Sequence, residues 1–211
     1  MPAQQKVLHE TALALCQEAM GILRQEQTLH EITPTAPSKV ERVCYRFYET
    51  SRKEVLTAYG WSFVRREDRV MVPARVVQGR LLYNIPPSSI RILACYGPSG
   101  HKVEYTTRSD GFIYSAKPLS RIVYIEDEED LNFWPTSARK AFAYCLAKNV
   151  CMEITGRLQD LQFVTQQFND AEQRARTEDA RQSGTGTSVW GRNYMYDCMT
   201  GRANPFRKVG V

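Results

Sequence analysis

The sequence predicts an α+β fold: a four-helix body, a small antiparallel β domain inserted between the second and third helices, and an extended C-terminal arm. Three observations predict it. Apolar residues recur at helical spacing towards both ends of the chain. Between them, residues 61–126 hold short runs rich in Val, Ile, Leu and Tyr, separated by turn signals. The last 31 residues, Arg181 to Val211, are too glycine-rich for a helix and lack the alternation of a strand, yet carry Val189, Trp190, Tyr194, Met195, Tyr196, Met199 and Phe206.

The first helix is expected over residues 4–26, with Leu8, Ala12, Leu15, Ala19 and Ile22 on one face and Leu13, Cys16, Met20 and Leu23 widening it. Two prolines, Pro34 and Pro37, make the next segment a loop. The second helix is expected from Ser38 to Tyr59. Ser38 and Glu41 form a capping box, and Val40, Val43, Cys44, Phe47, Ser51, Val55 and Ala58 form the buried face. Gly60 is the expected C-terminal stop. Trp61, Phe63 and Val64 open an extended stretch, and strands are expected in 70–77, 80–83, 90–96, 102–107, 112–114 and 121–125. Their punctuation is Gln78-Gly79, Pro86-Pro87, Gly97 to Gly100 and Ser109-Asp110-Gly111. After the acidic run Glu126 to Asp130, Pro135 suits a first helical turn, and Ala138, Phe142, Cys145, Leu146, Asn149 and Val150 repeat at helical spacing up to Gly156. The last helix spans 158–181 with the stripe Leu158, Leu161, Val164, Phe168, Ala171 and Ala175. Its polar latter half, from Asp170, is read as projecting from the body, exposed or facing a ring neighbour.

These elements divide the chain into an N-terminal helical pair (1–60), the inserted β domain (61–126), a C-terminal helical pair (127–182) and the arm (183–211). A hydrophobic content of 43% suffices for a core, and a net charge of +5 permits an acidic partner without indicating nucleic-acid binding by itself. No stretch approaches the roughly 20 apolar residues of a membrane span, and the N-terminus has no signal-peptide pattern, so no membrane partner is expected. The six cysteines show no ligand spacing and read as reduced, mostly buried thiols.

Candidate chemistry is sparse. His9, His30 and His101 stand alone, and no nucleophile–base arrangement can be assembled, so an enzyme is not expected, nor a cofactor or metal. Ser183 to Thr187 lacks the lysine and flanking elements of a phosphate loop and reads as a hinge, through Gly184 and Gly186, with Gly191 beyond. The run Glu126, Asp127, Glu128, Glu129 and Asp130 has three readings: a cation site, a solvated loop before a helix N-terminus, or an acidic patch that repels DNA or meets a basic neighbour. The arm sets Arg181, Arg192, Arg202, Arg207 and Lys208 against the single Asp197. An aromatic, cationic tail of this kind reads as an arm built to grip a partner surface, with folding back on its own domain the alternative.

Three segments stand together in an order that resembles a known family. Tyr48 to Glu67 reads YETSRKEVLTAYGWSFVRRE, Tyr83 to Leu93 reads YNIPPSSIRIL, and Ile122 to Gly156 reads IVYIEDEEDLNFWPTSARKAFAYCLAKNVCMEITG. They are similar to segments of the tail tubular protein A family of short-tailed bacteriophages, the head-to-tail adaptors or connectors, and the likeness covers about residues 40–180. The resemblance implies a virion protein, present in the host cytoplasm during assembly. It implies a ring of copies, a dodecamer, below the portal protein, which extends the channel for double-stranded DNA and is a platform for the tail nozzle protein. It also implies that the C-terminal arm docks on the portal.

On that reading Trp190, Tyr194, Tyr196 and Phe206 anchor the arm in portal grooves, Arg192, Arg202 and Arg207 pair with portal carboxylates, and Gly184, Gly186 and Gly191 let the arm order on binding. DNA must slide through the channel without sequence-specific binding, so the acidic run is expected to face the lumen or the tail. The competing reading is a nucleic-acid-binding module that uses the same basic, aromatic arm.

Overall fold

The computed structural model describes residues 10–69 and 72–183. They form four helices: α1 Glu10–Ile22, α2 Lys39–Ala58, α3 Thr136–Ile154 and α4 Leu158–Gln182. They also form eight strands, all between α2 and α3 in the chain: β1 Arg65–Arg69, β2 Arg75–Val77, β3 Arg80–Asn84, β4 Ser89–Tyr96, β5 Lys102–Val103, β6 Tyr105–Thr107, β7 Phe112–Ser115 and β8 Arg121–Glu126. The protein is therefore α+β with two antiparallel four-stranded sheets, ordered β1-β8-β4-β5 and β2-β3-β7-β6.

Helix α3 is the centre of the helical layer and packs on α1, α2 and α4. Its buried residues Ala138, Ala141, Phe142, Ala143, Cys145, Leu146, Ala147, Val150 and Cys151 spread around the helix rather than along one stripe, as befits a helix enclosed by neighbours. The four alanines among them let the surrounding helices approach closely, while Phe142 fills space against Tyr48 and Trp134. The capping box expected at the start of α2 is present: Ser38 Oγ accepts from Val40 N, and Glu41 reaches back to Ser38 N. Glu41 is itself buried and also accepts from His30 N, so it holds the preceding loop to the helix. Helix α3 ends at Gly156, whose φ of 66° is the left-handed conformation that closes a helix cheaply only for glycine.

The β1-β8-β4-β5 sheet lies between two cores. On β8, Ile122 and Tyr124 join Tyr83, Cys95, Val103, Ile113 and Leu119 in a core between the sheets. Ile125 instead joins the helical core with Val64, Trp61 and Leu131. Being covered on both faces, β8 has the continuous run Ile-Val-Tyr-Ile instead of alternation. Strand β4 carries two register shifts against β8, at Ile90 and at Leu93, and both extra residues turn towards the helical core. The layers are thus helices, sheet, sheet. The β2–β3 hairpin turns through Gln78 and Gly79, with φ of 51° and 75°, the geometry of a two-residue type I′ turn.

Several expectations need correction. The extended stretch does not open at Trp61: Ser62–Val64 is a short 3-10 helix, and the strand that follows, β1, is the fully charged Arg-Arg-Glu-Asp-Arg. It is an edge strand, where charge discourages pairing with another chain, and no hydrophobic pattern marks it. Gly60 does not stop α2 by a left-handed turn, since Tyr59 is already extended. The helix end is instead satisfied by side chains: Trp61 Nε1 donates to Val55 O at 2.7 Å, Arg91 to Thr57 O, and Arg176 to Ala58 O. On α2 the expected Val43, Cys44, Ser51 and Val55 are buried, but the buried face widens to Glu41, Tyr48, Arg52 and Leu56, while Val40, Phe47 and Ala58 sit at its margin. Helix α1 ends at Ile22, short of residue 26, and Leu158 is exposed rather than part of the α4 stripe.

Candidate functional site

The expected docking residues Trp190, Arg192, Tyr194, Tyr196, Arg202, Phe206 and Arg207, and the hinge residues Gly184, Gly186 and Gly191, lie outside the described residues. What the structure defines is the helix that precedes that segment in the chain. The latter half of α4 does not project from the body. Ala171, Ala175 and Asp179, four residues apart, form a buried stripe against it. Asp179, in the last turn, accepts from Ser62 N at 3.0 Å and from Ser62 Oγ at 2.6 Å. Arg176 pairs with Glu172 at 2.9 Å, lies over the Tyr59 ring and donates to Ala58 O. The end of α4, up to the last described residue Ser183, is therefore fastened to the α2–β1 junction. A polar helix end reads as solvated when its few buried contacts are a carboxylate and two alanines, which is why the pattern misled.

The acidic run is largely consumed within the fold. Glu126 pairs with Arg66 at 2.7 Å across the β1–β8 edge. Asp127 meets the buried Arg52 at 2.6 Å, and its other oxygen is 3.7 Å from Lys53. Arg52 also donates to Glu128 O and to Glu49 Oε2, each at 2.9 Å. Burial works against the charge of this guanidinium, but the Asp127 and Glu49 carboxylates outweigh that effect and hold its pKa above the ordinary value. Glu128 Oε1 accepts from Asp130 N, and Asp130 caps the short 3-10 helix Leu131–Phe133 through Asn132 N. Glu129 and Asp130 are the exposed members of the run. The five carboxylates do not converge, and among the described residues no group of acidic, histidine or cysteine side chains could hold a metal ion.

The remaining perturbed groups are structural in their surroundings. Cys16, Cys44, Cys95, Cys145 and Cys151 are free and buried. Burial pushes the Cys95 thiol up to about 11, and Cys145 rises further, so neither offers a thiolate near neutral pH. Burial also opposes the charge of Glu54, yet hydrogen bonds from Asn149 and Lys148 prevail and lower its pKa, joining α2 to α3. No helix among the described residues is long and apolar enough to cross a membrane. Arg52, Arg66, Arg176 and Asp179 carry joints between elements, and no sequence signal beyond their helical or strand spacing would have found them.

No protein-family model matches the chain, and no curated protein matches it.

Proposed function

We propose that the protein is a head-to-tail adaptor of a short-tailed phage virion, a ring of copies below the portal that extends the DNA channel and gives the tail nozzle a platform. In this reading the three-layer body, with its β domain inserted between the second and third helices, is the rigid ring element. The segment after Ser183 is the portal-docking arm, anchored by Trp190, Tyr194, Tyr196 and Phe206 and paired by Arg192, Arg202 and Arg207.

The observation that carries the reading is the fastening of the α4 end. A cationic, aromatic segment of 28 residues begins directly beyond a helix held by Asp179 and Arg176. An arm that starts from a fixed point loses less freedom on docking than one on a loose tether, and repetition around a ring multiplies the gain. Truncation after Gln182 tests this. The body should keep its cooperative unfolding while binding to portal rings is lost; normal binding by the truncated chain would refute the mechanism.

One observation favours the nucleic-acid reading: Arg75 stacks over Phe112 and Arg108 over Tyr114 on the outer β sheet. A steep fall of DNA affinity with salt would support it, and absence of binding at low salt would remove it.

A further inference from the structure

The two ends of α3 carry surfaces of opposite character. Just before its N-terminus, Phe133 stands on the short 3-10 helix with 68% of its surface exposed. Glu129 and Asp130, both exposed, precede it. The presentation is rigid, because Asp130 Oδ1 accepts from Asn132 N at 2.9 Å and from Asn132 Nδ2 at 2.8 Å, while Leu131 and Trp134 on either side of the exposed pair are buried. This is an aromatic knob flanked by carboxylates.

At the other end of α3 an open groove of about 440 Å³ lies where the ends of α1 and α3 meet the start of α4. Its open surface is more polar than apolar: Leu23 and Val164 are buried, and its most exposed apolar side chain is Phe163, at 56%. Arg24 and Arg157 stand at it, both exposed and neither in an ion pair with another described residue; Asp160 is the one carboxylate in the lining. Arg24 has a second peculiarity. It occupies the left-handed position that closes α1, at φ 56°, with Gln25 N bonded to Met20 O and Arg24 N to Gly21 O. Glycine is the residue that suits this position. A backbone outlier that sets a cation at a groove is a reason to look for what the cation serves.

We infer that copies of this chain associate head to tail, the Phe133 knob of one entering the α1–α3–α4 groove of the next, with Glu129 and Asp130 meeting Arg24 and Arg157. A chain cannot fill its own groove, because the two surfaces are separated by α3, 19 residues and about 28 Å long. Two different patches on one chain make a heterologous contact, which propagates and closes into a ring when the rotation allows. The inference rests on the adaptor reading for its premise that copies meet, and it assigns Glu129 and Asp130 to that contact rather than to the channel lumen.

The test is native mass spectrometry of the full chain over a concentration series. Phe133→Ala removes an exposed ring, and Arg24→Gly installs the residue the helix end prefers, so both variants should keep the wild-type unfolding transition. Each should weaken association by at least about tenfold. A socket-reversed chain (R24E with R157E) and a knob-reversed chain (E129K with D130N, which keeps the cap) should each stay monomeric. Their equimolar mixture should assemble with the two chains alternating. A wild-type chain that stays monomeric to its solubility limit, single variants that associate like wild type, or a mixture that does not recover would each overturn the contact. Counting copies in virions separates the two ideas: parity with the portal alongside indifference to these substitutions keeps the adaptor and removes the contact, whereas recovery by the mixture alongside absence from virions does the reverse.

Discussion

Arg52 is the buried side chain that ties α2 to the acidic run. Its guanidinium bonds Asp127, Glu49 and the Glu128 carbonyl from a buried position. Arg52→Ala removes the buried guanidinium from Asp127, Glu49 and the Glu128 carbonyl and should cost about 3 kcal/mol, read as a lower urea midpoint at unchanged slope. Arg52→Lys should recover only part, since a single ammonium cannot serve three acceptors at fork geometry. Glu54 gives a pH prediction. Its folded pKa is lowered from the ordinary 4.5. The carboxylate therefore contributes stability that is present above the unfolded value and lost as pH falls through the folded one. Glu54→Gln should flatten the stability–pH curve of the wild type in that acidic window and leave its slope near neutrality unchanged. At this scale the sequence was least informative: the capping box of Ser38 and Glu41 was legible because its spacing is fixed by the helix, whereas the Arg52–Asp127 pair joins positions 75 apart with no local pattern.

The elements were easier to read, and the exceptions have physical causes. Helix stripes and the β3, β4, β7 and β8 runs showed themselves through apolar spacing, because burial selects for it. β1 was missed because an edge strand of five charged residues carries no such signal. The end of α4 was misread because its docking rests on Asp179. Asp179→Ala should therefore loosen that end without unfolding the body. Losing the bonds to Ser62 costs about 2 kcal/mol, so amide exchange in 175–182 should quicken by about thirtyfold while α3 stays protected. Full-length protein with unchanged exchange there would show that the stripe of Ala171 and Ala175 suffices. Arg24→Gly should be neutral or stabilising by up to about 1 kcal/mol, as relief of the left-handed strain offsets the added freedom of the unfolded chain; a clear loss of stability would mean that the Arg24 side chain packs within its own subunit.

For the whole molecule, the arrangement of layers is what suits the proposed adaptor role. A sheet buried on both faces joins the helices to the outer sheet, so force applied at the β unit reaches α3 and α4 without crossing a loose linker. The cationic, aromatic segment begins where α4 is pinned. Neither the three layers nor the pinned end was visible in the sequence, which showed only the order helix, helix, strands, helix, helix; how those units pack is decided by side chains far apart in the chain. The most direct measurement for the proposed role is a count by quantitative mass spectrometry of this chain against the portal protein in purified virions. Equal copy numbers are the expected result; absence of the chain from the virion would contradict the adaptor function outright.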